Sequence, residues 1–210
     1  MTQDHFVHLH PVGVDGSDSE KSDEALVSEG WFCKSCRRPK PLAGAVDFQI
    51  SQEKPVHSPI CSDAFSGVRF ARRDFLSLLG EENVARDLML GTLYGPSGEP
   101  IKDWVTVRGR HRVIVRGSVK KGFEHYVGTR VCEECGNRLY FAYPPNYLYP
   151  APNPNAAILQ SDLGGLIVRP DLIAHLDLKR KKGFGIEKLK VLDKPRDGLG
   201  VLGSGLTPDR

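Results

Sequence analysis

Two cysteine pairs constrain this chain more than any other feature. Cys33-Lys34-Ser35-Cys36 and Cys132-Glu133-Glu134-Cys135-Gly136 are separated by 95 residues and together supply four thiolates. That is the complete ligand set of a closed tetrahedral metal site. A Cys-x-x-Cys turn places both sulfurs on one side of a tight loop, and Gly136 can take the positive φ that such a knuckle often requires. Two turns facing each other make a zinc ribbon. A thioredoxin-like redox pair wants a helix directly after it, whereas Arg37-Arg38-Pro39-Lys40-Pro41 and Asn137-Arg138-Leu139-Tyr140-Phe141 read as turn and strand. The expected ligands are therefore Cys33, Cys36, Cys132 and Cys135, and the expected metal is Zn2+. Four sulfurs leave no position for water, so its role is structural. Metal-free pairs are the competing reading. Lys34, Arg37, Arg38, Arg130 and Arg138 are sequence neighbours able to offset the negative charge of a tetrathiolate centre.

The remaining composition bounds the setting. At 210 residues and 40% hydrophobic, the chain can bury a substantial core in one domain or two small ones. No stretch approaches the roughly eighteen apolar residues of a membrane span. The start, Met1-Thr2-Gln3-Asp4-His5, has no basic region followed by an apolar segment, so a cytoplasmic location is expected. Five cysteines leave an odd one, which fits thiols and metal better than disulfides. The odd residue, Cys61, reads as a small buried hydrophobe. A net charge of +3, from 29 basic and 26 acidic residues, is too balanced to imply nucleic acid by itself.

Along the chain we expect an N-terminal strand or irregular segment over 1–29, a single α+β domain over 30–193 and a flexible tail over 194–210. The domain is expected to hold a mixed or antiparallel sheet with the zinc-ribbon-like element. Phe6 and Val7 suit an edge strand, and residues 11–29 are polar and acidic. Ala45 to Ile50 alternates with period two and reads as a strand. Arg72 to Leu90 carries a helical stripe with a break at Gly80 and an end at Gly91. Trp104–Val107 and Arg112–Arg116 are β-rich runs that suggest a hairpin around Arg108–His111. Phe123 to Val131 and Leu139 to Tyr143 read as strands entering and leaving the second knuckle. A proline-rich extended crossing follows. Leu166-Ile167-Val168 is a short strand, Pro170 opens a helix toward Lys182, and Ile186 to Leu192 is a final strand.

Other chemistry is weaker. His8 and His10 fall on one face of a strand, a spacing that can bind metal but more commonly belongs to ordinary hydrogen-bonded histidines. No His-Glu-x-x-His pair is present. Ser66-Gly67 and Ser161-Asp162 lack a nucleophile-elbow pattern, and the glycine-rich stretch from Gly198 lacks the strand-loop-helix unit of a phosphate loop. Complete sulfur coordination argues away from catalysis, so a non-enzymatic protein is expected, with an enzyme in the central domain as a third reading. A basic band at Arg108, Arg110, Arg112, Arg116, Lys120 and Lys121 supports an alternative function, a zinc-ribbon nucleic-acid-binding protein. The leading reading of that band is an ordinary solvated face, ahead of a contact for an acidic protein and of nucleic acid.

With its two widely spaced knuckles, a β-rich approach to Cys132-Glu133-Glu134-Cys135-Gly136, and the later Leu166-Ile167-Val168-Arg169-Pro170 segment, the chain resembles the double-CxxCG motif family associated with bacterial toxin immunity. The resemblance spans roughly residues 30 to 193, and its specific positions are Cys33, Cys36, Cys132, Cys135 and Gly136. The family has glycine after the second cysteine of each pair, where this chain has Arg37. The resemblance implies a non-enzymatic cytoplasmic protein that neutralises a partner toxin. Candidate partner contacts, chosen because exposed Arg and Tyr contribute strongly to interfaces, are Arg112, Arg116, Tyr147 and Tyr149.

Overall fold

The computed structural model describes residues 5–11, 32–37, 40, 47–53, 55, 58–62, 67–113, 115–118, 132–137, 143–149, 151–162, 165–174 and 184–193. Among them the strands are β1 (His5–Pro11), β2 (Phe48–Gln49), β3 (Ile60–Ser62), β4 (Arg69–Arg72), β5 (Leu88–Tyr94), β6 (Pro100–Gly109), β7 (Arg112–Val113), β8 (Val115–Ser118), β9 (Tyr143–Leu148), β10 (Ile158–Ser161), β11 (Leu166–Val168) and β12 (Phe184–Val191). Helices are confined to α1 (Arg73–Leu78), α2 (Glu81–Asp87) and α3 (Pro170–Ile173) among the described residues. The expected α+β class fits only roughly, because strands dominate and the helices are short.

The larger sheet runs β7-β10-β11-β1-β12-β9-β8, with β7–β10 and β9–β12 parallel and the other pairs antiparallel. Its two edges, β7 and β8, are separated in sequence by Ile114 alone. Cα atoms two residues apart lie within about 7 Å, whereas strands repeat about every 4.8 Å across a sheet. The sheet therefore rolls until its edges meet. β7 and β8 together form one stave that pairs first with β10 and then with β9, which gives a barrel of six staves. Phe6, Val115, Leu148, Leu159, Ile167 and Leu189, one from each stave, pack together with Ala156 as its interior. Each large side chain buried there contributes about 1.5–3 kcal/mol.

The alternate residues of the same strands face outward. Leu9, Ile158, Leu166 and Val168 meet Ile60, Ala71, Val105, Val107, the α1 residues Phe75 and Leu76, and Leu79 just after that helix in a second cluster. Leu166, Ile167 and Val168 are thus buried on both faces, which is why that segment is an unbroken apolar run. The second sheet runs β2-β5-β6-β4-β3, with β2–β5 parallel and the rest antiparallel. Its far face carries Ile50, Val68, Phe70, Leu93, Trp104 and Cys61. Cys61 behaves as expected, buried with its thiol donating to the Ser58 carbonyl at 3.0 Å.

Asp87, at the end of α2, pins the two sheets together. Its carboxylate is 0% exposed, and Oδ2 accepts the backbone N–H groups of Ala157 at 2.7 Å and Ile158 at 2.9 Å, at the start of β10. The Arg86 guanidinium donates to both oxygens at 2.8 Å. Burial opposes ionisation, but Arg86 and the N–H groups of Ile158 and Ala157 outweigh it and lower the Asp87 pKa.

Several expectations change. The predicted hairpin around Arg108–His111 is a crossover: β6 belongs to the second sheet, while β7 pairs with β10 in the barrel. The crossing is held by Arg110 N–H on the Asp87 carbonyl and Gln160 N–H on the His111 carbonyl, both 2.8 Å. The predicted helix over Arg72–Leu90 does break at Gly80, but Leu88–Leu90 open β5, and Gly91 lies inside that strand. Pairing with β6 overrides the helical stripe there. β1 is not an edge strand; it lies between β11 and β12. Of the strand predicted over Ala45–Ile50, residues 47–50 are described and only Phe48–Gln49 is strand, and α3 starts with Pro170 as predicted. The predicted strand Phe123–Val131, most of Leu139–Tyr143, the last turns before Lys182 and the tail from 194 lie outside the described residues.

Candidate metal centre

The four cysteines come from two loops, one between β1 and β2 and one between β8 and β9. Cys33 Sγ lies 3.6 Å from Cys132 Sγ, and Cys36 Sγ lies 3.6 Å from Cys135 Sγ. All four sulfurs fall within 4.8 Å of one another. A metal–sulfur bond of about 2.3 Å in a tetrahedron requires sulfur separations of about 3.8 Å, so the spacing fits one central ion. It is far from the roughly 2.05 Å of a disulfide, and all four are free thiols. These residues can hold a metal ion.

The two turns are built alike. Arg37 N–H donates to the Cys33 carbonyl at 2.9 Å, and Gly136 N–H donates to the Cys132 carbonyl at 2.7 Å. Both donors sit at positive φ, +55° for Arg37 and +69° for Gly136. Arg37 therefore adopts the conformation that glycine supplies in the second turn, at a cost of roughly 1–2 kcal/mol for a side-chain-bearing residue. The turns also grip each other directly. Ser35 donates through its backbone N–H at 3.2 Å and its hydroxyl at 2.6 Å to Glu134 Oε2. That hydroxyl is the main cause lowering the Glu134 pKa.

Cys33 and Cys132 are buried, and Cys36 and Cys135 are half-buried. The Cys132 thiol is drawn down to about 7, first by the Cys135 backbone N–H and further by the Glu134 N–H, against its own desolvation. Cys135 is pushed up, first by burial and then by the sulfurs of Cys36, Cys33 and Cys132. The same pocket thus favours one thiolate and resists another while only protons are available. A cation resolves that conflict by replacing protons, which couples metal affinity to pH.

The second turn is tied to the barrel. Cys132 N–H donates to the Asn137 carbonyl at 2.8 Å, and Arg112 Nη2 on β7 donates to Asn137 Oδ1 at 3.4 Å. Arg112 is exposed, as its choice as a contact required, and Tyr149 is half-buried. Arg116 and Tyr147 are not exposed: they are 5% and 4% accessible. Arg116 lies 5.1 Å from the Tyr149 ring centre and donates to the Tyr149 carbonyl at 3.2 Å, so its charge and fork are spent internally. The basic band is interrupted at the buried Arg116, and Lys120 and Lys121 lie outside the described residues.

His8 and His10 share a strand face, with ring centres 5.3 Å apart. His8 is buried, its Nδ1 lying 3.8 Å from Glu187 Oε2, which also accepts the Asn146 side-chain amide at 3.0 Å. Among the described residues, the four cysteines alone form a group able to hold a metal, so the histidines are not part of one. Sequence reasoning missed Glu187 and Asn146 as their neighbours. The signal lay in β12, where Glu187 and Leu189 alternate onto one face. No family model matches the chain, and no curated protein matches it.

Proposed function

We propose that the four-cysteine centre holds one Zn2+ as a structural clamp in a non-enzymatic protein-binding module, an immunity protein that neutralises a cognate bacterial toxin. The observation that carries the clamp is the set of four sulfurs at tetrahedral spacing, drawn from two loops far apart in sequence. With every coordination position filled by protein, the ion has no place for a substrate or an activated water. Its binding free energy, roughly 10–16 kcal/mol in small zinc domains, goes into holding the two loops together. The toxin-immunity reading is supported by the resemblance of the two knuckles, and its mechanism is occlusion of the toxin's active site or substrate surface. Burial of Arg116 weakens the nucleic-acid alternative, because that residue is no longer available to a phosphate backbone.

Elemental analysis of purified protein and a pull-down from native lysate test the two halves separately. The clamp predicts about one zinc per chain, and substantially less metal in well-folded protein refutes it. The immunity reading predicts a stoichiometric, nuclease-resistant protein partner whose toxicity is suppressed by co-expression. Salt-sensitive nucleic-acid capture without such a partner overturns it.

A further inference from the structure

The sulfurs of the metal centre are also placed for covalent chemistry with one another. Two sulfur contacts cross between the loops, Cys33 to Cys132 and Cys36 to Cys135, each at 3.6 Å. A disulfide needs about 2.05 Å, so each pair must close by about 1.5 Å. Closing across the loops is the easier route. Within each turn, the bond from Arg37 N–H to the Cys33 carbonyl or from Gly136 N–H to the Cys132 carbonyl fixes the backbone, and a link inside the turn must pull against it. A link across needs only a small approach of the two loops, and Ser35 on Glu134 already holds them face to face independently of any ion. Cys36 and Cys135 are half-buried while Cys33 and Cys132 are buried, so a small oxidant meets the former pair first.

We propose that a two-electron oxidant, hydrogen peroxide being the simplest, converts the clamp to a covalent form in which the disulfides Cys36–Cys135 and Cys33–Cys132 replace the metal; this rests on the reading of the centre as a zinc clamp. A thiolate of the Cys36–Cys135 pair attacks peroxide, the O–O bond breaks, the sulfur becomes a sulfenic acid, and the departing hydroxide takes a proton to become water. The facing thiolate then attacks the sulfenic sulfur, so that the S–S bond forms and the S–O bond breaks, and the second hydroxide leaves as water. Each disulfide therefore consumes two thiolates, two protons and one peroxide, which is reduced to two waters. With half of its ligands gone the ion passes to solvent, and a second peroxide closes Cys33–Cys132 by the same steps. These links join positions 99 residues apart, so the loops stay tied after the metal has left. Links within the turns would let them part.

The test adds hydrogen peroxide stepwise to the metal-loaded full chain, reading released zinc with a chromophoric chelator and disulfides by mass spectrometry. Cleavage after Lys34 separates Cys33 from Cys36, and cleavage after Glu133 or Glu134 separates Cys132 from Cys135, so each pairing has its own peptide mass. Zinc release should track disulfide formation, with Cys36–Cys135 appearing before Cys33–Cys132. Free thiols should fall from five to one, the buried Cys61. A dithiol reductant with added zinc should restore the starting state, and Cys135→Ser should give Cys33–Cys132 as its sole disulfide. Disulfides Cys33–Cys36 and Cys132–Cys135, sulfinic or sulfonic acids in place of disulfides, or peroxide that leaves metal and thiols untouched would each overturn the inference. Protein that carries no zinc before treatment refutes the clamp instead, and the disulfide pattern of that metal-free chain still decides the pairing.

Discussion

Asp87 offers the sharpest test of how the two sheets are joined. Asp87→Ala removes the acceptor of two backbone N–H groups, in Ala157 and Ile158, both 0% exposed and out of reach of water. An orphaned buried donor costs about 1–3 kcal/mol, so the pair accounts for about 2–6. Arg86 is about half exposed, and loss of its ion pair adds under about 1 kcal/mol. The expected loss is therefore about 4 kcal/mol, a large share of a typical stability of about 5–15. Asp87→Asn behaves differently. Both N–H groups converge on one oxygen, so a single amide carbonyl in that place can still accept both. What goes is the charge assistance, and the expected cost is about 1–2 kcal/mol. Urea unfolding of the three proteins measures both values. An alanine variant losing less than about 1 kcal/mol would refute the reasoning, as would an asparagine variant as unstable as the alanine one. The pH dependence has a definite sign. Because folding lowers the Asp87 pKa, its contribution is full above the unfolded value of about 3.9 and disappears as pH falls through the lower folded value. The gap between wild type and Asp87→Asn should narrow below about pH 4.

The knuckles give a paired prediction. Gly136→Ala forces a side chain to φ +69° and should cost about 1–2 kcal/mol. Arg37→Gly relieves the same conformation in the first turn and should be neutral or stabilising by a few tenths to about 1 kcal/mol after its entropic cost; thermal unfolding of the metal-loaded proteins compares them. Gly165→Ala should be more damaging than either. At φ +72° its new Cβ would collide with the Leu9 carbonyl oxygen where β11 meets β1, so a drop in melting temperature smaller than that of Gly136→Ala would contradict the register.

The local chemistry of the candidate site was legible in the sequence; the architecture around it was not. Cys-x-x-Cys spacing states which sulfurs can converge, and the two turns do converge. The missing glycine after Cys36 looked like a departure, yet Arg37 takes the same left-handed conformation, because the hydrogen bond back to Cys33 and the grip of Ser35 on Glu134 stabilise the turn. Strand identity was equally readable at Leu166–Val168 and in β12, where local pattern and tertiary pairing agree. What local pattern cannot carry is which strand pairs with which. Trp104–Val107 and Arg112–Arg116 have the look of a hairpin, and the contacts that send the chain from one sheet to the other, through the Asp87 carboxylate and Gln160, join residues about fifty to seventy positions apart. Arg116 and Tyr147 failed as surface contacts for the same reason: a strand residue's exposure depends on what covers the outside of the barrel.

The separation between the metal loops and the cores leads to a last prediction. None of the four cysteine ligands belongs to the three clusters that fill the barrel, the seam and the far face. Among the described residues, Arg112 to Asn137 ties the second turn to the barrel. Removing the metal should therefore release the two loops without unfolding the sheets, a local opening rather than a global one. In hydrogen exchange, the amides of Arg37, Cys132 and Gly136 should lose protection on chelation. Those of Leu166 to Val168, buried on both faces, should keep theirs. Under the proposed function, partner capture should fail while the β-rich circular dichroism persists, so the metal sets the shape of a binding surface on an already folded barrel. Cooperative loss of protection in β11 together with the knuckles would show the opposite, that the ion is part of the folding nucleus and the barrel cannot stand without it.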